Sequence, residues 1–482
     1  MDGQDHEHTH IVHTPIRVVK NEKYVHDGGK SYLHLMRKYN FNPTLDSKYF
    51  YGGVLHQQGK FGRGAGGKAR VVQRLKKKDT SSSGSADESL VNTTDVQNDA
   101  LWLSEVYIGS PPKKFMLDFD TSSADCWIWS TNLPKATLDN AQGKTIFDPT
   151  QSTSFKSKDG YTWDIHYGDG SSASGTVGTD YLTLGGLTID DQAIELANNL
   201  SESFQEGVRD GLLGLAFSTI NTCSPESVLT PVDMLIQQSN IPKTAELFTV
   251  KLGSWRDANE PDQGQSFYTF GYIHQPTLEY CGAATNSIYW AKVDPSQGFW
   301  QFKSSSISVN GKTKKRSAGN VSIADTGTTL ALLDDASCEA IYSKIPGAQY
   351  VSQIPGYIYP ANVTEKQLPV VKIDVGGKSF TIQKEDLGFA DAGQGYVYGG
   401  IQSRGDLPFD ILGGTFLKGQ YVIFDAGNKR LGVVPRPETY QNLSTPPVDS
   451  PNSASEDETS DKKGFFSDLI GKNKKVEKQA EL

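Results

Sequence analysis

Asp120 and Asp325 are the residues of this 482-residue chain whose surroundings most invite chemistry. Asp120 ends an apolar run in FMLDFDTSSADCWIW (115–129) and is followed at once by Thr121, Ser122 and Ser123. Asp325 sits the same way in VSIADTGTTLALLD (321–334). Each is followed by a second matching piece, RDGLLGLAF (209–217) after the first and FDILGGTF (409–416) after the second. Two carboxylates held a few Å apart cannot both ionise cheaply, so they share a proton and their titrations separate. Such a pair can accept one proton while giving another. The aspartates stand 325 − 120 = 205 residues apart. That spacing is too long for a small solenoid repeat and suits two similar lobes that each lend one carboxylate to a shared cleft. A buried carboxylate also needs donors, which the backbone N–H groups and small hydroxyl residues after each aspartate can supply.

Elements able to hold such a pair must be strands. Hydrophobic residues make up 36% of the chain and aromatics 10%, with 48 glycines. Apolar runs are short and rich in β-branched residues, a pattern of many strands and tight turns from about Ala100 to Pro435. The length exceeds one ordinary core and predicts two or three folding units. No apolar stretch reaches the ~18 residues of a membrane-spanning helix.

Charge is uneven. Residues 1–80 carry 15 Lys or Arg against 7 Asp or Glu, a net of +8; with −9 for the whole, residues 81–482 hold −17. A basic leading segment before an acidic body suggests that one covers the other. KSYLHLMRKYNF (30–41) predicts a short helix, whereas GKFGRGAGGKAR and RLKKKDTSSSGSADES read as flexible linkers. The spacing from Gly62 to Gly67-Lys68 imitates a phosphate loop, but Ala69 replaces the required Ser or Thr and no strand precedes it. His6, His8, His10 and His13 lie in a polar leader that reads as a floppy tail rather than a metal site. The leader has no apolar core of a signal peptide. Cys126, Cys223, Cys281 and Cys338 show no metal-ligand spacing and allow three disulfide pairings. Five N-x-[ST] triplets, at Asn92, Asn199, Asn320, Asn362 and Asn442, carry little weight in so Ser/Thr-rich a chain.

From Leu101 to Pro435 the chain resembles the pepsin-like aspartic peptidases (family A1), most closely their fungal, penicillopepsin-like branch. DTSS and DTGT match the catalytic triplets; WDIHYGDGSSASG (163–175) matches the flap hairpin; GFWQF (298–302), GGIQS (399–403) and YVIFDAGNKRLGVV (421–434) match further second-lobe segments in the same order. The resemblance implies an all-β, bilobal fold with two pseudo-symmetric lobes and a central cleft. It implies an aspartic endopeptidase in which water, activated between Asp120 and Asp325, attacks a peptide bond without metal, cofactor or covalent intermediate. Thr121 and Thr326 match residues that cross-brace the two loops, and Ser123 and Thr328 match hydroxyls that bond the outer carboxylate oxygens. Tyr167 matches the flap tyrosine, with Gly168, Asp169, Gly327 and Thr328 as substrate-binding positions, and Trp127 matches the indole that bonds that tyrosine. Asp169 matches a flap acid linked to acceptance of lysine before the scissile bond. NPTLDSKYF (42–50) resembles the end of a pro-segment, with Lys48 as the blocking cation and Tyr49 its companion. Acid would release that clamp.

The expected organisation is a basic pro-segment and linker over 1–90, a first lobe with the flap over 91–256, a second lobe over 257–437, and a low-complexity, disordered tail over 438–482. Expected partners are protein or peptide substrates, pepstatin-like inhibitors and the chain's own pro-segment, on a monomer that binds no nucleic acid. The resemblance implies a secreted or vacuolar setting. Departures from the family pattern favour a second reading, a peptide- or inhibitor-binding homologue without turnover. Ser122 replaces the usual glycine, Gly414 the usual aspartate, and Ala361 and Val397 the second-lobe disulfide; Cys126 replaces an apolar residue, and with Cys223 reads as a buried thiol. A third reading, a structural or adhesive cell-surface protein, rests only on the Ser-rich tails.

Overall fold

The computed structural model describes residues 27–45, 89–96, 101–141, 143–166, 172–205, 209–260, 263–352, 354–438 and 440–445. The described chain is mostly strand, with few and short helices, as expected for two β-lobes. In the strand Lys113–Asp120, Phe115, Leu117 and Phe119 are buried on one face, and the alternation puts Asp118 and Asp120 together on the other. Both faces are covered at its end, so the two carboxyls have little access to water.

The two aspartates sit in matching surroundings. In the first lobe, Lys113–Asp120 pairs in parallel with Gly211–Gly214, bringing Asp120 opposite Gly214, and Gly211–Gly214 pairs antiparallel with Cys126–Trp129. In the second, Val321–Ala324 pairs in parallel with Asp410–Leu412, which pairs antiparallel with Ala331–Leu333. The repeat seen as GLLGL and DILGG is therefore a repeat of strand pairing. Glycine is needed at both crossings. A Cβ on Gly214 would lie 2.6 Å from Ala124 Cα, and one on Gly413 would run into the carbonyl oxygens of Thr328 and Leu330.

A shared sheet joins the lobes. Leu247–Lys251 pairs with Ser266–Phe270 and Gln420–Asp425, and Ser89–Val96 pairs with Ser266–Phe270 and Leu101–Ile108. Phe248 stacks on Phe424 at 4.7 Å in this layer. The expected lobe boundary at 256/257 falls in a short 3-10 turn between two strands that pair with each other. Order also continues past 437: Asn442 N–H donates to Glu385 Oε2 and Arg256 Nε to the Ser444 carbonyl.

The leading segment forms the predicted helix, Gly28–Tyr39. Its apolar positions Tyr32, Leu35, Met36 and Tyr39 follow a three-four spacing, giving one stripe. Tyr32, Leu35, Tyr39 and the following Phe41 are buried against second-lobe residues that include Ile358, Phe389, Tyr398 and Leu407. Each such burial is worth about 1.5–3 kcal/mol. Tyr32 also donates to the Ser403 carbonyl at 2.8 Å, and Asp406 accepts from both the N–H and Nδ2 of Asn42.

No disulfide joins the four cysteines; Cys126, Cys223 and Cys338 are buried. No described helix is long and apolar enough to cross a membrane.

Candidate active site

The strand pairing brings Asp120 and Asp325 together at the junction of the lobes. Lys38, at the end of the leading helix, spans them: its Nζ lies 3.2 Å from Asp120 Oδ2 and 3.4 Å from Asp325 Oδ2. It also donates to the Gly327 carbonyl at 3.2 Å, and Tyr39 donates its hydroxyl to Asp325 Oδ2. Both carboxyls are fully buried. A side chain on Gly327 would meet Asp120 directly, its Cβ 2.5 Å from Asp120 Cγ, so the second-lobe loop runs against the first-lobe carboxylate.

Beneath the carboxyls the loops are tied to each other. Thr121 N–H donates to Thr326 Oγ1 at 3.1 Å and Thr326 N–H to Thr121 Oγ1 at 3.0 Å. The hydroxyls continue across: Thr121 Oγ1 donates to the Ala324 carbonyl and Thr326 Oγ1 to the Phe119 carbonyl, at 2.9 and 2.6 Å. Every one of these buried groups finds its partner in the opposite lobe.

Each carboxylate is held by the N–H two residues on. Ser122 N–H donates to Asp120 Oδ1 at 2.8 Å and Gly327 N–H to Asp325 Oδ1 at 2.9 Å. Ser122 keeps a negative φ, so the serine costs no backbone strain where glycine was the expected residue. Its hydroxyl adds a further bond to Asp120 Oδ1 at 2.7 Å. At Gly414, the other departure, a Cβ would lie 2.8 Å from the buried Trp102 ring, which occupies the space an aspartate would need.

The local field divides the pair. Burial pushes the Asp120 carboxyl up, but Lys38 and the Ser122 hydroxyl and N–H outweigh it, leaving the group at about 2. Burial raises Asp325, with Lys38 opposing and the Asp120 charge adding to the rise. Asp120 is thus the member held ionised and Asp325 the member that keeps a proton more readily.

Other predicted site residues are placed differently. Tyr167, Gly168 and Asp169 lie outside the described residues; the strands leading to them pair down to His166 opposite Ser172. Trp127 is buried, stacked on Trp163 at 6.1 Å and edge-on to Phe204 at 5.7 Å. Ser123 Oγ and Thr328 Oγ1 are buried without a hydrogen-bond partner. Thr328 stands close enough to Asp325 to favour its ionised form, yet the outer oxygens face Lys38 and Tyr39 instead. Lys48 and Tyr49 also lie outside the described residues, and the cleft position expected for them is taken by Lys38 and Tyr39. A signal for this was present, since Lys38-Tyr39 closes the apolar stripe of the helix predicted over KSYLHLMRKYNF.

Three more buried acids carry no signal in the sequence. Asp118 pairs with Arg209 at 3.1 Å and is raised to about 6 by burial. Asp125 and Glu195 share Asn221, whose Nδ2 donates to Asp125 Oδ1 at 3.0 Å and Glu195 Oε1 at 2.9 Å. Burial raises Asp125 to about 6 and raises Glu195 further from its ordinary value. Their folded pKa values lie above the unfolded ones, so between pH ~4 and ~6 the folded protein keeps protons that the unfolded chain has released. Stability should fall as pH rises through that window, by on the order of 2–3 kcal/mol from Asp125 alone, with Glu195 adding to the fall. Urea midpoints measured at pH 4 and pH 6.5 should drop in the native protein and drop less in Glu195→Gln. Equal drops in both would remove the pair from this role.

Among the described residues the acids close enough to share a cation are Asp257, Glu385 and Glu438, and Arg436 already lies 3.4 Å from Asp257.

Two β-lobes that each deliver an aspartate from a parallel strand crossing, with cross-braced Asp-Thr loops, define an aspartic peptidase. Residues 101–436 match the profile of the eukaryotic aspartyl protease family, and the chain belongs to that family of hydrolases. It is similar to aspergillopepsin-1 of Aspergillus oryzae, 39% identical over 343 residues that cover 71% of this chain and 80% of the relative. Penicillopepsin-1 of Penicillium janthinellum is 38% identical over 353 residues, covering 73% of this chain and the whole of the relative.

Proposed function

We propose that this chain is an endopeptidase made as a zymogen, in which Asp120 and Asp325 activate water against a peptide bond once the helix Gly28–Tyr39 has left the cleft. The observation that carries the reading is the single Lys38 ammonium within 3.2 and 3.4 Å of the two carboxylates. A cation there matches the charge of the dyad and excludes substrate from it. With the helix gone, the N–H and hydroxyl of Ser122 still favour the ionised form of Asp120, which fits a division of labour between the two acids. Asp120, ionised, takes a proton from the attacking water; Asp325, protonated, gives its proton to the scissile carbonyl oxygen. The resulting gem-diol collapses as Asp120 passes the proton it took to the amide nitrogen and Asp325 takes one back from a diol hydroxyl, so that the C–N bond breaks, the amine leaves and both carboxyls return to their starting states.

Protonating the carboxylates removes the partners of Lys38, so acid favours release of the helix. An acidic setting, vacuolar or outside the cell, is where such a device would be used. Substrates are proteins or peptides with large apolar side chains, with lysine tolerated if Asp169 acts as its resemblance implies. The names of the relatives, aspergillopepsin and penicillopepsin, support the same activity.

After exposure to about pH 2–3, where the Lys38 clamp is lost, the protein should cleave a denatured protein substrate at pH ~3–5, and pepstatin should stop it. Tight pepstatin binding with no turnover would instead establish the binding-homologue reading.

A further inference from the structure

We propose that the Ser122 hydroxyl is a positioning group for the dyad: by donating to Asp120 Oδ1 it favours the ionised form of that carboxylate and carries activity to lower pH. The inference rests on the reading of Asp120 and Asp325 as the reacting pair. The two loops match donor for donor except at this point. Both aspartates accept an N–H from two residues on, at 2.8 and 2.9 Å, but Asp120 alone also accepts a hydroxyl from that residue, at 2.7 Å. The difference is enforced by space. Gly327 has no room for a side chain, because its Cβ would lie 2.5 Å from Asp120 Cγ and Oδ1, whereas Ser122 fits with ordinary backbone angles. Ser122 is fully buried, so no water competes for its proton. A hydrogen bond donated to a carboxylate is stronger than one donated to a carboxylic acid, so the hydroxyl prefers the ionised state.

Other charges face the same carboxyl. Lys38 and Tyr39 reach it from the helix and depart with it on activation. Asp325 faces it from the second lobe, Asp118 with its partner Arg209 from its own strand, and Tyr268 from the neighbouring strand Ser266–Phe270. These remain in the activated enzyme and are unchanged by substitutions at 122.

The test is the pH dependence of kcat/KM for the activated enzyme. In Ser122→Gly and Ser122→Ala the acid limb should move up by about 0.5–1 pH unit, the share of one hydrogen bond to a carboxylate. One unit below the native limb, that shift lowers kcat/KM about 3- to 10-fold relative to the native enzyme. The alkaline limb should stay in place. Ser122→Thr, which keeps the hydroxyl, should keep the native acid limb. Carbon-13 NMR titration of the aspartate carboxyls, native against Ser122→Gly, reads the same shift without turnover. An acid limb and a lowest carboxyl titration that are both unmoved in Ser122→Gly would overturn the proposal. Absence of activity in the native protein would strike at the peptidase reading instead, and the NMR comparison would still decide the role of Ser122.

Discussion

Asp325→Asn should lower kcat/KM for peptide hydrolysis by at least about 10³-fold, within the range that one positioned acid or base supplies. Asparagine keeps the shape of the side chain, and its Oδ1 can still accept the Gly327 N–H that Asp325 Oδ1 accepts at 2.9 Å. What it removes is the proton that Asp325 is proposed to give to the scissile carbonyl. Asp120→Asn should be as damaging for the opposite reason, because an amide cannot take a proton from water. Neither change should unfold the chain, since each replaces a buried ionisable group by a neutral one of equal volume. Residual activity above about a tenth of native in a pure, folded Asp325→Asn preparation would dismiss the shared-proton mechanism.

The next largest effect is expected at Lys38. Removing one partner of a buried ion pair commonly costs about 3–5 kcal/mol, because the remaining charges are left unmatched. Here the dyad can relieve part of that cost by taking up a proton. Lys38→Met should therefore loosen the docked helix by about 10²-fold, near the lower end of that range. The sign with pH follows from Asp120, whose carboxyl is held at about 2, below its ordinary 3.8. The clamp it forms with Lys38 is complete above about pH 4 and is lost as pH falls towards 2. In Lys38→Met this acid dependence should flatten, with cleavage of substrate beginning without a lag and at higher pH than in the native protein. Hydrogen exchange along residues 28–45 should rise in parallel. An unchanged lag together with unchanged exchange would mean that the apolar stripe alone holds the helix.

Much of this site could be read from sequence because its parts are duplicated. A single Asp-Thr pair after an apolar strand would have said little, but DTSS with GLLGL and DTGT with DILGG repeat a buried-carboxylate arrangement twice. The β-rich class followed from short apolar runs between turns. The blocking residues were harder to place, because beyond Lys23-Tyr24 the leading segment contains two further Lys-Tyr pairs, 38–39 and 48–49. A local match drew attention to the second pair. Anchorage decides for the first: Tyr32, Leu35 and Tyr39 bury one face of a helix and deliver Lys38 at its C-terminal end, where a cation is also favoured by the helix dipole. Ser122 read as a tolerated replacement for glycine. That its hydroxyl reaches Asp120 depends on a rotamer and on free space, neither of which has a sequence signature. The buried acids Asp118, Asp125 and Glu195 were equally invisible, since burial on both faces of a sheet comes from the other strands.

The reciprocal threonine bonds have a consequence for how the groove opens. Thr121 and Thr326 fasten the floor from both sides. If the lobes rock to admit a bulky chain, the motion must pivot about that pin, so the mouth can widen by ångströms while the spacing of the two acids hardly alters. Breadth of accepted substrates and constancy of the reacting geometry then come from the same four hydrogen bonds.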